Sequence, residues 1–320
     1  MGLQQRYAIL TVDTETLPKR ALNDHVNRLI WGRHDKGTAG VREMCAIGDE
    51  FNAKHVFFVD MCGAYFYPEE MCEVVRWLDR SGQDVQLHTH PEVLPKSFWT
   101  ENGVEFRPEY MNDYTEDAWA GFIISHFAKM ISEITGKEIL AYRSGSFRWN
   151  GCSIRALKAA NILLSFNNSM RAYRAGRCVF SEPTNLPYAW SNGIIEVPVT
   201  EKQILIQPGR TESWASLTYP QSAYFPFYTE RQSVISRIFG KGLTLSVFLI
   251  HSWSLLSWDE NGHATYRDDQ RLEGYRKLLA QLAGDYDIIT TRDFLDLYAL
   301  GKITVSQTVD IAKADLKRYA

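Results

Sequence analysis

The chain has 320 residues, of which 45% are hydrophobic and 13% aromatic, and it carries a net charge of −3. A chain of this length and composition can bury a substantial core without disulfide bonds, and we interpret it as one large domain. The small net charge and the absence of a lysine or arginine cluster exclude the electrostatic footprint of a nucleic-acid-binding protein. We therefore expect the partner to be a small molecule or a glycan.

Cysteine usage and the start of the chain predict a cellular location. The five cysteines are odd in number and form no Cys-x-x-Cys pair, which fits reduced thiols. The first residues pass directly into a predicted strand without an apolar leader, and no run reaches the length of a membrane-spanning helix. We expect a cytoplasmic protein without a membrane span, and the sequence leaves the oligomeric state open.

Apolar strands alternate with amphipathic helices along the chain. Strands are predicted over 7–12, 55–60, 84–90, 139–142, 163–166, 194–199, 243–250 and 286–289, and helices over 41–51, 68–82, 116–135, 152–160, 269–283 and 291–300. This alternation predicts an α/β fold whose parallel sheet is buried on both faces and is closed, or nearly closed, into a barrel. The predicted barrel spans residues 1–301, with irregular insertions at 168–193 and 207–232. Residues 302–320 are a C-terminal tail with no assigned role.

Polar side chains fall at the ends of four predicted strands. They are Asp13 and Glu15 after the first strand, His88 and His90 at the third, Arg143 at the fourth and His251 after the strand at 243–250. Residues i and i+2 of a strand face the same side, so the two acids point together, as do the two imidazoles. Because a barrel gathers its strand ends on one face, we expect all six side chains to form one site.

Two imidazoles and one carboxylate suit zinc or a similar divalent ion, since three protein ligands leave a position open for a reactive water. Such a water has its pKa lowered from about 15.7 towards about 7, so a nearby carboxylate can complete its deprotonation. We assign His88, His90 and Glu15 to the metal and Asp13 to the general base. The reverse assignment of the two acids remains open.

Two further side chains complete the expected chemistry. Arg143 would orient the base through a charge-assisted hydrogen bond, with a structural ion pair as the alternative. His251 would approach from the opposite side of the substrate as the general acid, with a buried strand-end histidine as the alternative. A long segment at 16–40 contains Trp31 and Arg33 among glycines, and we interpret it as a lid or rim that contacts the substrate. The alternative is a tryptophan that only packs on the barrel rim.

These motifs resemble those of the polysaccharide deacetylase family, the NodB-homology carbohydrate esterases, over roughly residues 7–300. Thr11-Val12-Asp13-Thr14-Glu15 is similar to the first motif of the family, and Gly82 to Pro91 is similar to the second. Ala141-Tyr142-Arg143-Ser144-Gly145 is similar to the third, and Leu249-Ile250-His251-Ser252 to the last. The resemblance implies a distorted (β/α)7 barrel and metal-dependent removal of an N-acetyl group from a sugar. We also assign Ser144 and Gly145 of the third motif, and Trp253, which follows the last motif, to substrate binding.

Departures from the family pattern leave specific alternatives. The two acids straddle Thr14, whereas the family has adjacent acids. The histidines are two residues apart rather than four, so the third ligand is either His90, which we favour, or Glu92. We find no acid partner for His251 around Glu196-Val197-Pro198.

The expected substrate is a cytoplasmic nucleotide sugar, a lipid-linked saccharide or a related precursor of a surface glycan, because the sequence shows no secretion signal. Two other functions remain open. One is hydrolysis of a different carbon–nitrogen bond, such as a formamide or a cyclic amide. The other is a catalytically silent glycan-binding module, and uptake of a metal ion would separate the enzymes from the module.

Overall fold

The computed structural model of the chain describes residues 5–105, 110–207, 210–220 and 244–315. The predicted insertion at 207–232 therefore lies partly outside the described residues. The strands are β1 (Tyr7–Thr14), β2 (Arg33–His34), β3 (Gly37–Thr38), β4 (Val56–Asp60), β5 (Asp84–Thr89), β6 (Ala141–Ser144), β7 (Leu164–Ser165), β8 (Tyr188–Trp190), β9 (Ile195–Glu196), β10 (Glu201–Gln207), β11 (Arg210–Ser216), β12 (Leu245–His251), β13 (Leu256–Trp258), β14 (Ala264–Arg267), β15 (Asp287–Ile288) and β16 (Thr308–Val309). The helices are α1 (Val41–Asp49), α2 (Pro68–Arg80), α3 (Lys96–Glu101), α4 (Asp117–Thr135), α5 (Gly151–Ala159), α6 (Met170–Arg174), α7 (Asp269–Asp285) and α8 (Thr291–Ala299).

One large sheet organises the fold. Its strands follow the order β12-β1-β4-β5-β6-β7-β9-β8-β16, and β15 pairs with β1. All neighbours from β12 to β9 are parallel, whereas β8 runs antiparallel to β9. Parallel strands need crossover connections, which here include α1, α2, α4 and α5. The predicted α/β fold with a curled parallel sheet is thus confirmed.

The two faces of this sheet bury different side chains. Tyr7 and Ile9 of β1 belong to an inner cluster with Val56 and Phe58 of β4. The alternate residues of the same strands, such as Leu10, join a larger cluster beneath the helices. Side chains of a strand alternate between faces, so β1 is apolar on both sides over most of its length. That double burial explains its near-continuous apolar sequence.

Segments without a clear sequence period contain short elements. Residues 168–193 hold α6 and β8, and β10 pairs with β11 as an antiparallel hairpin. The segment from 302 onward contributes β16, which pairs with β8. Strands of two or three residues are too short for an alternating pattern to show. The division of the chain at residue 301 stays a prediction. Within the described ranges, no helix has the length and apolar character needed to cross a membrane.

Candidate active site

The inner face of the barrel turns polar where its strands end. Along β1, the face that carries Tyr7 and Ile9 continues to Asp13 and Glu15. The parallel neighbours add His88 from β5, Arg143 from β6 and His251 from β12. Asp13 lies opposite His251, and His88 lies opposite Arg143, in the strand registers. The period of two therefore carries an apolar core directly into a polar site, as predicted from the strand ends.

Three of these side chains meet at one point. The Nε2 atoms of His88 and His90 lie 2.9 Å and 3.1 Å from the same carboxylate oxygen, Oε1 of Glu15. All three side chains are almost completely buried. Their donor atoms lie within 4.8 Å of one another, as expected for groups that share a metal ion. The three predicted ligands are therefore brought together.

The hydrogen bonds on the far sides of the rings favour a metal site. Nδ1 of His88 lies 2.7 Å from the carbonyl oxygen of Arg143, which only accepts, so this nitrogen carries a proton. Nδ1 of His90 lies 2.7 Å from Oε1 of Glu92. A neutral ring that donates from Nδ1 presents a lone pair on Nε2. Two such lone pairs and the oxygen of Glu15 then converge, and a cation satisfies all three. The residues present fit a divalent metal ion.

The electrostatics of these three side chains favour a positive charge between them. Burial alone would raise the pKa of Glu15, but the charge of His90 and hydrogen bonds from both imidazoles outweigh it and hold that pKa well below its usual range. Burial lowers the pKa of His88 and of His90, yet the carboxylates around them raise both pKa values above the usual range. The site is built to concentrate positive charge among these three side chains.

The choice between His90 and Glu92 as third ligand now has a geometric basis. Glu92 lies on the Nδ1 side of the His90 ring, whereas Glu15 lies on the Nε2 side. The group of potential ligands contains Glu15, His88 and His90 but not Glu92. Carboxylates in this outer position fix the tautomer and the ring orientation of a ligating histidine. The geometry supports our assignment of His90, with Glu92 as its orienting partner.

Asp13 and Arg143 form a buried ion pair next to the candidate ligands. Nη1 of Arg143 donates to Oδ1 of Asp13 at 2.6 Å, and both side chains are buried. Nε of Arg143 donates to the carbonyl oxygen of Phe166 at 3.3 Å, which fixes the plane of the guanidinium. One oxygen of Asp13 is thus held by Arg143, and among the described residues no hydrogen bond to the other oxygen is found.

His251 lies across the site from the imidazole pair. A ring nitrogen of His251 and carboxylate oxygens of Asp13 and Glu15 all lie within 4.8 Å of one another. The ring stacks on Trp253, with the centroids 5.0 Å apart and the planes 23° from parallel. Among the described residues, no carboxylate makes a hydrogen bond to this ring. Glu196, near which we had sought an acid partner, instead accepts hydrogen bonds from the backbone of Asn167 and Asn168.

A cleft of about 330 Å³ opens above these groups. Asp13, Glu15 and His90 line it on one side, and His251 and Trp253 line it on another. The cleft also contains residues that the sequence analysis missed, namely Leu17, Lys19, Arg20, Ser146, Phe147, Ser169, Arg171, Ala172, Ala175, Arg177, Ser216 and Leu249. Its volume falls within the range of about 300–1,000 Å³ that is common for small-molecule sites.

Known structures share this fold. A Mycobacterium smegmatis protein assigned to the polysaccharide deacetylases aligns over 100% of this chain and 96% of its own, with a TM-score of 0.58 and 14% identity. The chain has the polysaccharide deacetylase fold. A 4-α-glucanotransferase from Thermococcus litoralis aligns over 96% of this chain with a TM-score of 0.57 and 12% identity, and this chain spans 42% of that enzyme. The sequence matches no protein-family model and no curated protein.

The polysaccharide deacetylase fold confirms the barrel type that the motifs implied, but it does not select a reaction. The two TM-scores, 0.58 and 0.57, are almost equal, although the two proteins carry different names. Fold alone does not determine function, which has to be argued from the site. The convergence of Glu15, His88 and His90 therefore carries more weight than the shared barrel.

The segment 141–145 contributes more through its backbone than we predicted. The Ser144 hydroxyl donates to the carbonyl oxygen of Arg148, and neither Ser144 nor Gly145 is among the residues that line the cleft. A Cβ at Gly145 would lie 2.6 Å from Nδ1 of His90. Glycine is therefore required for the close approach to a candidate ligand. The next residues, Ser146 and Phe147, line the cleft in a left-handed conformation, with φ of 53° and 55°.

Asp60 is a site residue that the sequence analysis did not select. It ends β4 on the inner face, after Val56 and Phe58, and it is buried. Its Oδ1 accepts hydrogen bonds from the backbone amides of His90 and Cys62, both at 3.1 Å. Asp60 thus positions the backbone of a candidate ligand. The strand-end rule that selected Asp13 applies equally to Asp60 and would have found it.

The 16–40 segment contributes to the site at its start and not at its tryptophan. Lys19 and Arg20 line the cleft. Trp31 is buried against the outer helices, where its ring packs edge-on against Trp77 of α2 at 5.7 Å and lies 4.5 Å from the guanidinium of Arg42 of α1. Arg33, also predicted to bind substrate, is exposed and donates to the Asn27 side chain at 2.8 Å. Neither Trp31 nor Arg33 lines the cleft, and this placement favours the alternative of a structural tryptophan.

We expect Trp31→Ala to lower the free energy of unfolding by about 3–5 kcal/mol, because it removes a buried aromatic ring. KM for any substrate should stay within about twofold of the original value, since Trp31 lies outside the cleft. Chemical denaturation and steady-state kinetics measure the two quantities. A large rise in KM with an unchanged free energy of unfolding would show that Trp31 contacts the substrate.

Proposed function

We propose that this chain is a metal-dependent hydrolase that removes the N-acetyl group from an amino sugar of a surface-polysaccharide precursor. One observation carries the proposal. One cleft is lined by Asp13, Glu15, His90 and His251. Behind this lining, His88 contacts the same oxygen of Glu15 as His90 does, and Arg143 donates to Asp13. The cytoplasmic location, and the choice between a nucleotide sugar and a lipid-linked saccharide, stay predictions.

Glu15, His88 and His90 would hold the metal ion, which we expect to be zinc. When bound, such an ion acts as a Lewis acid that polarises an acyl oxygen and makes water acidic near neutral pH. The protein supplies the proton transfers. Asp13 accepts a proton as water adds to the acyl carbon, and Arg143 keeps the carboxylate in place through Nη1. His251 then donates a proton to the nitrogen as the carbon–nitrogen bond breaks, so that acetate and a free amine leave.

The hydrogen-bond partners of Glu15 and Asp13 favour amide hydrolysis over glycosyl transfer. Glycoside cleavage in most families uses two carboxyl groups that flank the sugar, one as the acid and one as the nucleophile or base. Here Glu15 lies within hydrogen-bond distance of two imidazoles and Asp13 bonds a guanidinium. Neither acid is set against an apolar pocket of its own. An imidazole–carboxylate metal set with an adjacent oriented carboxylate suits water attack on an acyl carbon.

Acetate release from N-acetylated sugars tests this proposal. Zinc-loaded protein is incubated with N-acetylglucosamine, its oligomers and N-acetylglucosamine 1-phosphate, and acetate and free amine are measured together. We expect equal amounts of both products, and none from protein stripped with a chelator. Matched N-formyl sugars separate deacetylation from formamide hydrolysis. Zinc-loaded, folded protein that binds these sugars but releases neither acid would favour the silent glycan-binding module.

The pH dependence of kcat/KM tests the role of His251. Because the acid must be protonated when the carbon–nitrogen bond breaks, we expect the rate to fall on the alkaline side in the unaltered protein. His251→Ala should lose about 10²–10⁴-fold in rate, together with that alkaline limb, while zinc binding is retained. Stopped assays across pH measure the profile. A variant with a near-original rate and an intact alkaline limb would show that the leaving amine obtains its proton elsewhere.

A further inference from the structure

The walls of the cleft carry charges of one sign. Lys19 and Arg20 line it from the segment after β1, and Arg171 and Arg177 line it from α6 and the turn that follows. Within the described parts of the chain, the only acidic side chains that line the cleft are Asp13 and Glu15. The whole sequence has 38 acidic and 35 basic residues, which is close to one acid for each base. Cleft walls with four basic residues and no acid beyond Asp13 and Glu15 are therefore more basic than the chain as a whole.

The two acids do not neutralise these walls. Asp13 pairs with Arg143 through Oδ1, and Glu15 lies between His88 and His90. Across the described ranges, none of the four wall cations forms an ion pair with a carboxylate. The walls therefore keep an excess of positive charge directly beside the candidate catalytic groups.

The backbone at Arg171 is held by a buried carboxylate. The backbone amide of Arg171 donates to Glu201 at 3.3 Å, and the same buried carboxylate accepts from the Met170 amide at 2.6 Å and from the Ser169 and Ser216 hydroxyls. These four donors tie the first turn of α6 to the β10–β11 hairpin. Glu201 thereby fixes the backbone that carries Arg171.

Arg177 is held next to other cations. Its Nη1 donates to the carbonyl oxygen of Ser146 at 3.3 Å. Partial burial, followed by the charges of Arg148 and Arg171, lowers the pKa of the Arg177 guanidinium. Arg148 in turn lies over the ring of Tyr110, 3.9 Å from its centroid. Like charges held together without an acid cost free energy, and a bound anion relieves that cost.

We propose that the cleft binds an amino sugar that carries an anionic substituent, a phosphate or a carboxylate, and that Arg171 and Arg177 hold the anion. Guanidinium groups suit this role because their planar donors match the oxygens of phosphate and carboxylate. Lys19 and Arg20 also line the cleft and add to the attraction, and all four cations are exposed. The inference rests on the proposed function, in which Asp13 serves the attacking water and His251 serves the leaving nitrogen. It names the class of sugar that this site selects.

Calorimetric binding tests the inference without any turnover. The probes are N-acetylglucosamine, N-acetylglucosamine 1-phosphate and N-acetylmuramic acid, which are neutral, phosphorylated and carboxylated in turn. We expect one or both anionic sugars to bind the unaltered protein at least about tenfold more tightly than the neutral sugar, the gain typical of one charge-assisted contact. The anion that binds more tightly identifies the substituent. Added salt should reduce the preference, because the walls are exposed.

The double variant Arg171→Gln/Arg177→Gln should reduce the preference to within about threefold. Arg80→Gln is the matched control, since Arg80 is exposed on α2 and does not line the cleft. It should keep the full preference. The double variant should melt close to the original temperature, because within the described residues neither arginine forms an ion pair. Single variants of Arg171 and Arg177 replace it if the double variant fails to fold.

The outcomes separate this inference from the proposed function. Equal affinity for the three sugars, binding of none of them, or a preference that survives loss of both arginines would overturn the inference. If the anionic sugars bind preferentially but the zinc-loaded protein releases no acetate from them, the anion site stands and the deacetylase proposal fails. Acetate release with equal kcat/KM for neutral and anionic sugars would support the deacetylase proposal and overturn the anion site.

Discussion

Replacing His88 or His90 with alanine is expected to abolish stoichiometric zinc binding while the protein stays folded. Each imidazole supplies one of three convergent donors. After the loss of one imidazole, only the other imidazole and Glu15 remain, and two ligands do not make a three-ligand site. Losing a supporting partner of a ligand typically costs about 10–100-fold in metal affinity, so losing a ligand should cost more. Equilibrium dialysis with metal analysis measures the binding, and far-ultraviolet circular dichroism confirms the fold.

Glu92→Ala is the matched control, because it removes the partner of His90 without removing a proposed ligand. We expect zinc to remain bound with affinity reduced by about 10–100-fold. Metal retained in His90→Ala and lost in Glu92→Ala would make Glu92 the third ligand.

Zinc affinity of the original protein should fall as the pH is lowered through the raised pKa values of His88 and His90, since protons compete for the same nitrogens.

Asp13→Asn should retain zinc and lose about 10²–10⁴-fold in kcat/KM, because an amide does not accept the proton that the reaction must remove. The amide oxygen can still accept from Nη1 of Arg143, so the buried guanidinium keeps one partner. Breaking a buried ion pair can cost about 3–5 kcal/mol, so thermal melting must accompany the kinetics.

Glu15→Gln is the comparison for Asp13→Asn. It should lose the metal, because Glu15 supplies the oxygen shared by both imidazoles. The sequence left the roles of these two acids interchangeable. If Asp13→Asn loses zinc and Glu15→Gln keeps it, the acids have exchanged the roles that we assign.

The strand pattern allowed much of this arrangement to be predicted. Asp13, Arg143 and His251 extend an inner strand face that is apolar, whereas His88 follows Gln86 and Asp84 on its face of β5. A period of two is readable in a sequence. Asp60 obeys the same rule, since it ends β4 on the inner face. The order of β1, β4, β5 and β6 in the sheet follows from right-handed crossovers between consecutive parallel strands.

Residues outside the strands could not be placed in this way. Arg171 and Arg177 reach the cleft because a short helix is anchored by Glu201, a contact between distant segments that no local period encodes. Trp31 shows the opposite case, since a tryptophan among glycines fits both a sugar platform and a buried anchor. Its packing against Trp77 and Arg42 depends on how two helices lie on the sheet.

Because β1 pairs with β12, the candidate site is complete only after the chain has been synthesised as far as β12. Glu15, His88 and His90 all precede residue 91, so the proposed metal ligands leave the ribosome early. His251 joins Asp13 only when β12 docks beside β1, and until then β1 has an unpaired edge. A chain that ends before residue 245 would keep every proposed metal ligand and lack the proposed acid. Such a fragment could sequester zinc without consuming substrate, and its exposed edge would favour association with other chains.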